Sequence, residues 1–94
     1  MKLTIQDVDV KDIFNLPIED RKELVRQGVD LFLQQSKIGA LVLNTSLDAY
    51  IDRHLMILEA DMEREQKNEN YEMVWYYNEI IWAIHEKRDG NWNI

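Results

Sequence analysis

Between residues 17 and 88 the apolar positions fall into three stretches of helical period, separated by short breaks. The clearest covers residues 46–66. There Leu47, Ile51, Leu55, Leu58 and Met62 recur every three or four positions, and Asp48, Asp52, Glu59 and Glu63 occupy another face. One apolar stripe opposite a charged one marks an amphipathic helix. A second helix is predicted over 17–37. Pro17 suits a first helical turn, where its missing N–H costs nothing, and Glu19, Asp20 and Glu23 complement the positive end of the helix dipole. Leu24, Val25, Gly28, Leu31 and Phe32 share its apolar face, with Gly28 marking a close helix crossing and Gly39 as the stop. Ile38–Leu43 reads as an apolar connector, and Thr45 and Asp48 have capping-box spacing for the helix that follows.

The third helix is predicted over 71–88, ending at Asp89-Gly90 with Lys87 and Arg88 in its last turn. Only residues 67–70 separate it from its predecessor, and so short a connection makes antiparallel neighbours. This last helix is apolar around most of its circumference. Met73, Tyr77, Ile80 and Ile84 lie on one face, and Trp75, Asn78, Trp82 and His85 on the next. The strip through Glu72, Glu79 and Glu86, beside Tyr76 and Ala83, reads as the solvated side. A helix of this kind is buried on more than one side, either as the centre of a bundle or against a partner. Before residue 17, the Thr4/Asp7 spacing and Val8, Val10, Ile13 and Phe14 suggest a short helical element over 4–15. Residues 89–94 form a tail without pattern. The expected fold is therefore all-α: a single domain over 1–94, a three- to four-helix bundle built on a long antiparallel hairpin.

Composition narrows the function. With 46% hydrophobic and 31% charged residues the chain is globular, and one Pro with three Gly leaves too little turn chemistry for a many-stranded sandwich or barrel. The absence of Cys removes disulfides, thiolate metal sites and a cysteine nucleophile. No apolar run is long enough to span a membrane, and residues 1–12 lack a signal-peptide core, so a cytoplasmic setting is expected. His54 and His85 sit on different helices. Ile51 and Trp82 stand where a Glu-x-x-His metal motif needs glutamate. Ser36 and Ser46 have no nucleophile-elbow context. No enzyme activity, metal or cofactor is expected.

Charge then points to a partner. The net charge is −7, and the whole excess lies in residues 44–86, with ten acidic and three basic side chains. Its densest part is Glu59, Asp61, Glu63, Glu65, Glu69 and Glu72. Such a surface is a poor direct binder of nucleic acid and suits a protein with a basic surface. The aromatic residues Trp75, Tyr76 and Trp82 on the next helix have the character of interface anchors. The expected function is a non-catalytic, acidic protein-binding regulator or inhibitor. Small acidic single-domain chains of this kind suit immunity or anti-defence proteins. One alternative is a nucleic-acid mimic whose carboxylates imitate phosphates in a basic groove. Another is a structural subunit that self-associates, with a homodimer through residues 73–84. Residues 38–58, an apolar run, a polar turn and a second helix, loosely resemble a helix-turn-helix. That resemblance implies a DNA-reading regulator, but Asp48, Asp52 and Arg53 would stand where a reader needs basic or amide side chains.

Overall fold

The computed structural model describes residues 9–92, apart from the side chain of Val10. It contains four helices and, among the described residues, no strand: α1 (Val10–Ile13), α2 (Ile18–Val42), α3 (Leu47–Lys67) and α4 (Tyr71–Asp89). The protein is an all-α bundle. Thr4, Asp7 and Val8 of the expected N-terminal element, and Asn93 and Ile94 of the tail, lie outside the described residues.

α2, α3 and α4 run up, down and up. Phe32 and Gly39 of α2 meet His54 and Tyr50 of α3, in that antiparallel order. Arg88, at the end of α4, reaches Asp48 and Asp52, at the start of α3. Side chains from all three helices close the core: Val25, Val29 and Leu33 of α2, Ile51 and Leu55 of α3, and Ala83 and Ile84 of α4. Around it pack half-buried Phe32, Leu47, Leu58, Trp75, Tyr76 and Ile80. α1 is fastened at its end by Arg21, whose Nε donates to Leu16 O (2.7 Å) and Nη2 to Phe14 O (2.9 Å). One long side chain thus satisfies two carbonyls of the segment that joins α1 to α2.

The end of α2 corrects the sequence reading, whereas α3 and α4 keep the expected bounds to within one residue. α2 does not stop at Gly39 but runs on to Val42, so the expected connector is its last turn. Gly39 serves a different purpose: a Cβ there would lie 2.7 Å from the Tyr50 hydroxyl and 2.8 Å from its Cζ. Its missing side chain is what lets the Tyr50 ring lie on α2. The turns that end α2, α3 and α4 place Asn44, Glu69 and Asn91 in the left-handed region, at φ 55°, 59° and 59°. Each end is a Schellman motif, with Thr45 N donating to Ala40 O, Asn70 N to Glu65 O and Trp92 N to Lys87 O. Asn accepts this conformation readily, which is why no glycine is needed at two of the three ends. The cap of α3 is Ser46 rather than Thr45, its hydroxyl accepting from Ala49 N at 3.1 Å.

The buried face of α2 is also rotated from expectation. It runs Leu24, Val25, Val29, Leu33, Ser36 and Ala40, and Leu31 is exposed. Ser36 is tolerated inside because its hydroxyl donates back to Phe32 O at 2.7 Å.

Candidate functional site

Of the six expected carboxylates, four are free. Glu59 and Glu63 are exposed on α3, Glu69 in the turn and Glu72 at the start of α4, and none of these side chains enters an ion pair among the described residues. Asp61 and Glu65 are half-buried and engaged. Arg64 Nη1 lies 3.1 Å from Asp61 Oδ1, Arg64 Nη2 lies 3.7 Å from Glu65 Oε1, and Asn70 Nδ2 donates to Glu65 Oε2 at 3.0 Å.

The three aromatic anchors separate. Trp75 and Tyr76 are half-buried against the end of α1. Phe14 meets Trp75 edge-on at 6.3 Å and Tyr76 at 6.5 Å, and the Arg21 guanidinium lies 6.0 Å from the Trp75 ring. Burial, and secondarily Tyr77 beside it, raises the Tyr76 hydroxyl above the usual tyrosine value of 10. Trp82 instead is 64% exposed. Asn78 and His85, four before it and three after it, share its outward face. α4 thus meets solvent along the Trp82 face as well as at Glu72 and Glu86 of the strip expected to be solvated, whose other members are buried Ala83 and half-buried Tyr76 and Glu79.

A cluster that the sequence reading missed joins the far ends of the hairpin. Arg88 Nη2 donates to Asp52 Oδ1 at 2.8 Å, and Arg88 Nε lies 3.4 Å from Asp48 Oδ1. Trp92 Nε1 donates to the same Asp48 oxygen at 3.1 Å, and the Arg88 guanidinium lies 5.3 Å from the Trp92 ring. The two aspartates that a helix-turn-helix would point at DNA are therefore occupied. Replacing Arg88 with Ala should cost about 1–2 kcal/mol. The exposed ion pairs contribute little, and most of the loss is packing on Trp92 and the hydrogen bond to Asp52. Hydrogen exchange should show the loss first at the start of α3 and the end of α4.

A run of exposed apolar side chains lies elsewhere, on the last turn of α2. Leu41 and Val42 are 81% and 77% exposed, next to exposed Ile38 and Leu43. Residues 38–47 carry no charge at all. Neither a cluster of three metal-ligating residues nor a helix long and apolar enough to cross a membrane occurs among the described residues. Comparison of the chain with protein-family models, with curated proteins and with solved structures yields no match.

Proposed function

We propose that the chain is a non-catalytic protein-binding regulator of the inhibitor type, acting in the cytoplasm through the outer side of the α3–α4 hairpin. The observation that carries this reading is Trp82, a large indole left in solvent beside Asn78 and His85 while its counterpart Trp75 is half-buried. An exposed tryptophan combines large apolar area with one donor, the usual make-up of an interface anchor. Glu59, Glu63, Glu69 and Glu72 supply charge for steering a basic partner. The same carboxylates would serve a nucleic-acid mimic, in which case DNA competes for the partner.

The test compares capture of partners from source-cell extract by the immobilised wild type and by a Glu59→Lys, Glu63→Lys, Glu69→Lys variant, over a range of salt. Association of the variant should be slower by about tenfold or more and its salt dependence flatter. Identical capture and identical salt slopes would remove the acidic face from the mechanism.

A second reading, self-association, draws support from the uncharged apolar end of α2 rather than from residues 73–84. An interface there would bring two copies of an acidic chain together where neither carries negative charge. Sedimentation at micromolar concentration should then show a species heavier than the monomer, and Leu41→Glu with Val42→Glu should abolish it. A wild type that sediments as a monomer throughout excludes this reading.

A further inference from the structure

We propose that the cleft enclosed by α2, α3 and α4 binds a small, uncharged aromatic molecule carrying one hydrogen-bonding group, about the size of indole or 2-naphthol. The cleft has a volume of about 280 Å³, and each of the three helices contributes to its wall. Gly28 and Phe32 line it from α2, His54 and Ile57 from α3, and Tyr76 and Ile80 from α4. It shares no residue with Trp82 or the free carboxylates, so the proposal stands independently of the protein-binding reading.

Three features define the ligand. The first is space. Gly28 stands on the inward side of α2, one position from buried Val29, where a bundle normally places a side chain. A helix-interior glycine costs about 1 kcal/mol relative to alanine and here leaves the space unfilled. A cavity of about 150 Å³ lined by Leu, Ile and Phe accepts benzene, so a cleft nearly twice as large fits a bicyclic ring. The second is the wall. Phe32 and the His54 ring meet edge-on at 5.2 Å, and Tyr76 stands across on α4, surfaces that favour a flat π-system in stacked or T-shaped contact.

The third is polarity. Only His54 and Tyr76 among the lining residues carry side-chain hydrogen-bonding groups, and neither side chain makes a hydrogen bond within the described protein. They can serve a ligand hydroxyl or ring N–H. No acidic or basic side chain other than His54 lines the cleft, so a permanently charged ligand would lose its hydration without a compensating partner. Half-exposed Ile57, at 58%, marks the open side through which the ligand enters.

The experiment is a titration of the isotope-labelled chain with 2-naphthol, followed by amide, methyl and His54 ring resonances. Saturable binding is expected with a Kd on the order of 0.1 mM, in line with the efficiency of small ligands of this size. The shifts should be confined to the cleft. Naphthalene, which cannot use His54 or Tyr76, should bind several-fold more weakly. Gly28→Leu fills the cleft from a helix-compatible position and should weaken 2-naphthol at least tenfold while raising Tm. If that variant fails to fold, Gly28→Ala and the wild-type shift map decide: weakened binding to the former and shifts in the cleft uphold the proposal. Absence of saturation, shifts centred elsewhere, or undiminished binding to a folded Gly28→Leu variant overturns it.

Discussion

Replacing Ile84 with alanine is expected to lower the unfolding free energy by about 2–4 kcal/mol. Ile84 is fully buried, in a cluster with Val25, Val29, Leu33, Ile51 and Leu55. Truncation removes the transfer energy of three carbons and leaves a void among side chains drawn from three rigid helices. Domains of this kind have only about 5–15 kcal/mol to lose, so the variant forfeits a large share of its stability. Its melting temperature should fall by about 10–25 °C, as read by helical circular dichroism. Met56→Ala, at an exposed position on α3, is the control and should change stability by less than about 0.5 kcal/mol. Equal losses at the two positions would mean that the core is not where the three helices converge.

The second large effect is expected in binding rather than stability. Trp82→Ala should leave the melting temperature nearly unchanged and weaken partner binding by about 2 kcal/mol or more, roughly thirtyfold. Trp75→Ala should do the reverse. Its ring packs against Phe14 and lies beside the Arg21 guanidinium, so its loss loosens the attachment of α1 and costs stability of about 2–4 kcal/mol. Melting curves and binding isotherms for the pair of variants separate the roles. If Trp82→Ala binds as tightly as the wild type, the indole is not the anchor.

Much of the bundle was legible because helical period and charge placement agree. The stripe Leu47, Ile51, Leu55, Leu58 and Met62 faces inward as its spacing requires, with Ile51 and Leu55 innermost. The end of α2 was less legible, since glycine is the common signal for a left-handed stop and the chain uses Asn44 there instead. Gly39 misled for the same reason: its absent side chain serves Tyr50, a contact that no local pattern records.

Trp75 and Trp82 expose a deeper limit. They stand seven residues apart and so have nearly the same helical phase. What covers one and not the other is Phe14 and Arg21, about sixty positions away in the chain. The Arg88–Asp48–Asp52–Trp92 cluster likewise arises only when the hairpin closes, because its members are remote in sequence and individually read as solvated charges or tail.

The turn between α3 and α4 has a consequence for the order of folding. Closing a loop as short as residues 68–70 costs little chain entropy, so the two helices meet early in the search for the native state. That turn runs through Glu69 at φ 59°, a conformation that carries a penalty of about 1 kcal/mol for a residue with a Cβ. The penalty falls on closure of the hairpin, and it therefore acts on the rate at which the hairpin forms as well as on the equilibrium. A glycine at position 69 would relieve it and shift the balance toward faster hairpin closure. The carboxylate that the native chain keeps there sets kinetic ease of folding against charge on the outer surface.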